Sequence, residues 1–219
     1  MPTRRVAPLG RTGTDAFATT VRPLTRASLP RDTVQLAKFL LGKILVRDLP
    51  DGREAGRIVE TEAYLHDDPA CHAYRRMTPR NRSLFLDAGH AYVYLCYGTS
   101  HMLNVSSETG GTGAGVLLRA LEPMAGIEAM QRARPGIRFI DLARGPGRLT
   151  AALSVDLRHD GIDLFCGGPL WIGGDGHAVD IVGESTRIGL TKGAEARLRY
   201  FVAGSRYLSG SRHLNAHAL

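Results

Sequence analysis

The sequence has no long hydrophobic run. Its longest unbroken apolar stretch is the seven residues of Ala91–Tyr97, whereas a transmembrane helix needs about 20. We therefore expect neither a membrane span nor a membrane partner. The arginines near the N-terminus are not followed by an apolar segment, which argues against a secretory signal. An Arg-rich, acid-poor start is also typical of organelle transit peptides, so a transit peptide stays open.

Cysteine is scarce as well, with Cys71, Cys96 and Cys166 only. The odd number and the wide spacing argue against a disulfide framework and favour a reducing compartment. The acidic pair that precedes Cys71 and His72 matches no zinc-ligand spacing, so no metal site is predicted. The sequence also lacks both phosphate-binding glycine motifs and the Gly-x-Ser-x-Gly nucleophile elbow. These absences disfavour ATP-dependent and α/β-hydrolase chemistry.

Lysine is rare among the basic residues: only three of the 28 cations are Lys, and the net charge is +7. The positive charge is concentrated in residues 1–31 (net +5), 75–82 (net +4) and 132–148 (net +4). Such a balance favours a polyanionic partner, and the Arg fork suits phosphate. The alternatives are three solvated loops without a partner, and an Arg excess that only reflects the base composition of the genome.

The predicted organisation is an N-terminal arm followed by one domain. Residues 1–25 show no helical or strand periodicity and are interpreted as the arm, which leaves residues 26–219 as a single domain. A helix is expected from residue 30, capped by Asp32 or Thr33 and ended by Gly42. The other predicted elements are helices over 124–132 and 149–155 and strands over 43–48, 57–64, 91–97, 102–106, 116–121, 170–172, 186–190 and 199–202. The fold class is therefore α+β, with a curved, mostly antiparallel sheet and peripheral helices.

Two carboxylates alternate on the second predicted strand. Glu60, Glu62 and Tyr64 are each two residues apart, so they share one face of that strand. A carboxylate tuned by burial can act as a general base. The alternative is a solvated pair of surface glutamates.

Three tyrosines lie close together on the third predicted strand. Tyr92 and Tyr94 share a face, and Tyr97 ends the strand beside Gly98. Flat rings near a basic groove are typical of platforms on which nucleic-acid bases stack. The alternative is an ordinary set of core aromatics.

Together these motifs resemble the alkyladenine DNA glycosylases, also called 3-methyladenine or methylpurine DNA glycosylases. The similarity runs from about Asp32 to about Ser209. The blocks that carry it are, in order, Arg57–Tyr64, His72, Thr78–Arg82, Tyr92–Tyr94 with Tyr97 and Gly98, Leu103–Ser107, Val116–Pro123 and Gly145–Leu149. Compared with the family pattern, the loop from Tyr64 to His72 is one residue shorter, and the segment from Asn104 to Arg119 is about two residues longer.

The resemblance implies a monofunctional base-excision-repair enzyme without a cofactor. Such an enzyme flips a damaged purine out of duplex DNA, hydrolyses its bond to deoxyribose and leaves an abasic site. The implied substrates are alkylated or deaminated purines of the 3-methyladenine, hypoxanthine, ethenoadenine and 7-methylguanine class. A monomer in the cytoplasm beside the nucleoid, or in a nucleus, is expected.

The resemblance also implies roles for individual residues. Glu62 would be the base that activates water, Tyr64 would stack on the flipped purine, and His72 and Tyr94 would complete the pocket. Tyr97 would fill the gap in the duplex. Asn104 would reject the amino group of guanine, and Leu190 is a candidate for the pocket floor. Arg119, Arg80 and Arg82 would contact DNA.

Two other functions stay open on the residues alone. One is a metal-dependent nuclease that uses the acidic side chains Glu60, Glu62, Asp67 and Asp68. The other is a non-catalytic basic DNA-binding module in which the tyrosines only stack on bases. Chelator-sensitive DNA cleavage would favour the first, and DNA binding without base release would favour the second.

Overall fold

The computed structural model describes residues 21–211 and Asn215. Within them the chain forms three α-helices, α1 (Thr33–Leu40), α2 (Ile127–Ala133) and α3 (Pro146–Ala152). The strands are β1 (Arg22–Pro23), β2 (Ile44–Leu49), β3 (Gly52–Tyr64), β4 (Ala91–Cys96), β5 (Ser100–Ser107), β6 (Ala114–Ala125), β7 (Leu170–Gly174), β8 (Val182–Ser185) and β9 (Arg199–Val202). Short 3-10 helices lie at Arg26–Ser28, Arg82–Phe85, Phe139–Asp141 and Leu157–His159.

The strands form one antiparallel sheet in the order β1-β7-β2-β3-β6-β5-β4. The long strand β3 organises it, because β6 pairs along one edge, while β2 and then β9 occupy successive parts of the other. The register of β3 against β6 shifts on either side of Glu60. Such bulges bend a strand, and a bent β3 agrees with the curved sheet that the sequence predicts. The α+β class and the single mostly antiparallel sheet are confirmed.

The main core lies between this sheet and the helices. Leu36, Ala37 and Leu40 of α1 are fully buried, at the i, i+1 and i+4 spacing of one helix face. The Asp32 side chain caps the helix by accepting a hydrogen bond from the Gln35 N–H, as the sequence predicts. Gly42, at φ 78°, turns the chain into β2. No helix among the described residues is both long and apolar enough to cross a bilayer.

Three predicted elements are wrong in place or type. The helix expected from residue 124 begins only at Ile127, because β6 continues through Pro123, where a register shift beside Gly56 accommodates the proline. The helix expected from residue 149 begins at Pro146, a residue suited to a first turn. Residues 186–190 are not a strand, and β8 precedes them.

The predicted N-terminal arm lies for the most part outside the described residues. Strand β1 (Arg22–Pro23), which the sequence did not predict, pairs with β7. Arg26 forms an ion pair of 2.5 Å with Asp163 and so ties the start of the domain to the loop before β7.

Candidate active site

Glu62 lies on β3 with its side chain fully buried. Its Oε1 accepts a hydrogen bond of 2.8 Å from the backbone N–H of Ile188, and its Oε2 accepts one of 2.9 Å from the Tyr64 hydroxyl. Nη1 of Arg119 lies 3.1 Å from the same Oε2. A donor at each oxygen and an adjacent guanidinium therefore fix the position of this buried carboxylate.

Glu60 lies one strand repeat earlier and is also fully buried. Its Oε1 accepts hydrogen bonds from Arg119 Nε at 3.1 Å, Arg199 Nε at 2.7 Å and Ser209 Oγ at 2.8 Å. Its Oε2 accepts a bond of 2.6 Å from the Ser209 N–H. Glu60 therefore joins β3, β6, β9 and the C-terminal segment in one charged network. The alternative of a solvated glutamate pair is wrong.

Arg119 connects the two carboxylates. It lies on β6 beside Glu60 and Glu62, and its side chain is 8% exposed. Burial alone would lower the pKa of Arg119, but the charges of Glu62 and then Glu60 outweigh it and raise the pKa. A buried ion pair without a further partner is costly, and here each charge has several.

All five side chains predicted to bind the base line one cavity of about 80 Å³ beside Tyr64. They are Tyr64, His72, Tyr94, Asn104 and Leu190. The wall also includes residues that were not predicted, namely Ala70, Cys71, Leu84, Tyr92 and Gly115. The shorter loop after Tyr64 thus still brings His72 to the cavity.

Aromatic rings form one wall of this cavity. Tyr92 and Tyr94 stack with centroids 5.3 Å apart, and the His72 ring meets Tyr94 edge-on at 4.5 Å. His72 Nδ1 lies 2.9 Å from the Tyr92 hydroxyl. Burial and then the charge of Arg80 lower the pKa of His72, so its imidazole is neutral near pH 7. Tyr92 was missed as a wall residue, although its alternation with Tyr94 carried the signal.

Asn104 lies opposite Tyr92 on the neighbouring strand β5. Its Nδ2 donates a hydrogen bond of 3.1 Å to the Tyr92 carbonyl, which fixes the amide in a buried position. The amide therefore presents a fixed polar edge to the cavity. Such an edge can distinguish purines by their hydrogen-bonding groups.

Tyr97 projects from the tip of the β4–β5 hairpin. Its side chain is 95% exposed, and it has φ 49° next to Gly98 at φ 70°. Two successive positive φ values are typical of a tight hairpin turn, and a bulky residue there is strained. An exposed ring on a strained turn, three residues beyond Tyr94, is placed to enter another molecule.

Basic side chains surround the mouth of the cavity. Arg80 and Arg82 are exposed, and Arg80 donates to the Leu95 carbonyl at 3.2 Å. Asn81 between them pins this loop, because its Nδ2 donates to the carbonyls of His72 and Arg76. A wider cavity of about 440 Å³ adjoins the first and is lined partly by Arg75, Arg76, Arg80 and Lys192. The third Arg-rich segment instead gathers around Asp141, which Arg138 and Arg144 contact.

The segment after β8 contributes the predicted cavity residue Leu190 and two residues that the sequence did not reveal, Arg187 and Ile188. Ile188 supplies its N–H to Glu62, and Leu190 lines the cavity. Arg187 is fully buried, forms an ion pair with Asp68 and donates to the Ala63 carbonyl at 2.9 Å. The strand predicted here is absent because these backbone and side-chain groups serve the site instead of a ladder.

Comparison with known proteins agrees with this geometry. The family described as Methylpurine-DNA glycosylase (MPG) matches residues 27–206. A relative from Mesorhizobium japonicum is 59% identical over 192 residues, which cover 88% of this chain and 92% of that protein. One from Paraburkholderia phytofirmans is 52% identical over 194 residues, covering 89% and 91%.

A relative from Methanoculleus marisnigri is 45% identical over 190 residues, covering 85% of this chain and 98% of that protein. All three relatives bear the name "Putative 3-methyladenine DNA glycosylase". The family match spans strands β2 to β9, the cavity and both buried glutamates. The chain therefore belongs to the methylpurine-DNA glycosylase family and is a DNA N-glycosylase, as its motifs indicate.

Proposed function

We propose that this enzyme binds duplex DNA, rotates a damaged purine into the cavity beside Tyr64 and hydrolyses the bond between that purine and its deoxyribose. The observation that carries the proposal is the hydrogen bond from the Tyr64 hydroxyl to Glu62. A purine stacked on the Tyr64 ring lies within reach of the buried carboxylate. The surface proposed to bind the base and the carboxylate proposed to activate water are therefore adjacent.

The proposed substrates are alkylated or deaminated purines, including 3-methyladenine, 7-methylguanine, hypoxanthine and ethenoadenine. A base inside the duplex cannot reach the cavity, and flipping it costs a few kcal/mol, least for damaged pairs. Tyr97 offsets that cost by filling the gap in the stack. Its 95% exposure supports this role.

Cleavage of the glycosidic bond needs one nucleophile and one general base that accepts its proton. As the purine leaves, positive charge develops on the sugar, and the Glu62 carboxylate stabilises it. The water oxygen then bonds to C1′ of the sugar while its proton passes to Glu62. A purine that is cationic in DNA leaves as a neutral molecule, whereas a neutral purine takes up a proton from solvent as it departs.

Positively charged side chains are proposed to hold the DNA backbone. Arg80 lines the wider cavity next to the base pocket, where phosphates of the flipped nucleotide would pass, and Arg82 is exposed two residues later. The phosphate contact of Arg119 stays a prediction, and its guanidinium here is engaged by Glu60, Glu62 and Ser209. Its geometry supports a second role, which is to hold the Glu62 carboxylate in place.

Action as a monomer stays a prediction. The location beside the nucleoid or in a nucleus stays a prediction. Three of the four acidic residues invoked for a nuclease are paired with arginines: Glu60 and Glu62 with Arg119, and Asp68 with Arg187. No observation favours the nuclease over the glycosylase.

The test is an assay on duplex DNA with one hypoxanthine or one 7-methylguanine, in the presence of a chelator. We expect release of the free base and formation of an abasic site that alkali then cleaves. Strand cleavage that requires a divalent cation would point to the nuclease. Tight binding without base release would point to the binding module.

A further inference from the structure

A buried guanidinium lies against the ring on which the substrate base is proposed to stack. The Arg187 guanidinium carbon is 4.6 Å from the centroid of the Tyr64 ring, and the Arg187 side chain is fully buried. Tyr64 lines the cavity, whereas Arg187 does not. The guanidinium therefore covers the ring face that is turned away from the cavity.

Arg187 is held firmly in this position. It forms an ion pair with Asp68, donates to the carbonyl of Ala63 at 2.9 Å and to that of Gly193 at 3.2 Å. Its buried Nε has no hydrogen-bond acceptor among the described residues. An unpaired buried N–H is costly, so the cation–π contact with the Tyr64 ring is a substantial part of the role of Arg187 at this position.

The second tyrosine of the cavity has a similar neighbour. Arg80, an exposed residue, lies over the Tyr94 ring at 5.7 Å. Both rings predicted to contact the base therefore already carry a cation on one face. The two arginines come from loops far apart in the sequence, so the two contacts are independent.

A cation on one face of an aromatic ring changes what the other face accepts. The negative potential of the ring attracts cations, and Arg187 already makes such a cation–π contact with one face of the Tyr64 ring. A cationic base on the opposite face also meets the repulsion of the guanidinium across the thickness of the ring, where little water screens it. A neutral base stacks without that penalty.

The other titratable groups of the cavity wall add no negative charge. Burial keeps the pKa of Cys71 at about 11 and that of Tyr94 at about 12, and His72 is neutral because burial and Arg80 lower its pKa. Arg119 compensates the nearby Glu62 carboxylate, whereas Asp68 offsets only part of the Arg187 charge felt at the Tyr64 ring, because the guanidinium is the member of that pair that lies against the ring. The wall itself thus favours neither charge, and the arginines behind the rings decide.

We infer that Arg187, held by Asp68 behind Tyr64, is a specificity-determining residue that biases the pocket toward damaged purines that are neutral in DNA. Hypoxanthine belongs to that class, and 7-methylguanine, which carries a positive charge, does not. The inference rests on the proposed function of the same cavity. Arg80 behind Tyr94 acts in the same direction and, being solvated, more weakly.

The test compares single-turnover kcat/KM on duplexes with one 7-methylguanine or one hypoxanthine. The variant is Arg187→Met combined with Asp68→Asn, because Arg187→Met alone would leave a buried charge without its partner. We expect the 7-methylguanine to hypoxanthine ratio to rise about fivefold, the size of a desolvated cation–π contact. A purely structural role would lower both rates together and leave the ratio unchanged.

Two single variants complete the design. Arg80→Gln should raise the same ratio by about twofold, whereas a lost phosphate contact would lower the rates on both duplexes together and leave the ratio unchanged. Arg206→Gln removes a guanidinium that lies 6.0 Å from the Tyr207 ring, outside the cavity, and should leave the ratio as in wild type.

The outcomes separate the inference from the proposed function. Wild-type enzyme that releases neither base contradicts the proposed function itself. Wild-type enzyme that releases both, with a ratio unchanged in the double variant and in Arg80→Gln, overturns the inference alone. If the double variant does not fold, the ratio for Arg80→Gln decides.

Discussion

The hydroxyl of Tyr64 donates a hydrogen bond of 2.9 Å to Oε2 of Glu62, two residues earlier on the same strand. The ring of one residue lines the cavity, and the carboxylate of the other is buried behind it. Burial and the charge of Glu62 raise the pKa of Tyr64, so the hydroxyl stays a donor at physiological pH. In the proposed mechanism, this contact couples the surface that receives a base to the group that activates water.

Tyr64→Phe separates these two functions. The ring remains, so affinity for hypoxanthine-containing duplex should change by less than about twofold, whereas loss of the hydrogen bond to the carboxylate should slow base release about tenfold. Fluorescence anisotropy gives the affinity, and single-turnover quench-flow gives the rate. Equal losses in both measurements would show that the hydroxyl serves base binding.

Glu60→Ala should destabilise the fold strongly. The substitution leaves the guanidinium groups of Arg119 and Arg199 without their shared carboxylate, at a cost of about 3–5 kcal/mol in the free energy of unfolding. Urea unfolding followed by circular dichroism measures it. The matched control is Glu184→Ala, which breaks two exposed pairs, of 3.8 Å with Lys38 and of 3.5 Å with Arg197, and should cost about 0–1 kcal/mol. Similar costs for the two variants would contradict the buried network.

Glu54 should make stability fall as the pH rises. Burial raises the pKa of Glu54 to about 7, with Asp51 adding to the shift and Arg47 and Arg132 opposing it. Because the unfolded carboxyl titrates near its ordinary value of 4.5, the folded state binds more protons between that pH and about 7. The stability of wild type therefore decreases across this window through Glu54.

Glu54→Gln removes this contribution, so its stability relative to wild type should increase from pH 5 to pH 8. Urea unfolding of both proteins at intervals of about one pH unit across this window gives the difference curve. Since all other titrating groups are common to both proteins, a difference that does not vary with pH would refute the assignment.

Tyr97→Ala tests the exposed hairpin ring. One lost stacking contact should weaken binding to duplex DNA that contains a damaged purine about tenfold or more. Binding to single-stranded DNA should change much less, because no gap needs filling there. Ile181→Ala, at another exposed apolar side chain, is the control and should leave both affinities unchanged. Equal losses of Tyr97→Ala on both DNA forms would exclude the wedge role.

Local features of the site were predictable from the sequence. Glu60, Glu62 and Tyr64 do share a face, because alternation along a strand survives the bulges beside Glu60. Tyr92 and Tyr94 stack for the same reason. The resemblance added His72, Asn104 and Leu190, which line the same cavity but are scattered along the chain.

Long-range partners could not be predicted in this way. Ser209 and Arg199 reach Glu60 across about 140 residues of sequence separation or more, and no local pattern signals such a contact. The segment with Arg187 and Ile188 alternates like a strand, yet its N–H group bonds a carboxylate side chain. Pro123 predicted the start of a helix, but β6 continues past Pro123 because a bulge lies opposite it.

Glu62 is the residue on which the proposed chemistry depends, and Glu62→Gln on duplex DNA with one hypoxanthine is the most direct measurement. The amide keeps the shape of the carboxylate but cannot accept the proton of the attacking water. We expect the variant to bind this duplex within about threefold of wild type and to release base at least about a thousandfold more slowly, since removal of a general base and of a charge that stabilises the transition state combine. Base release at the wild-type rate by folded Glu62→Gln would contradict the account.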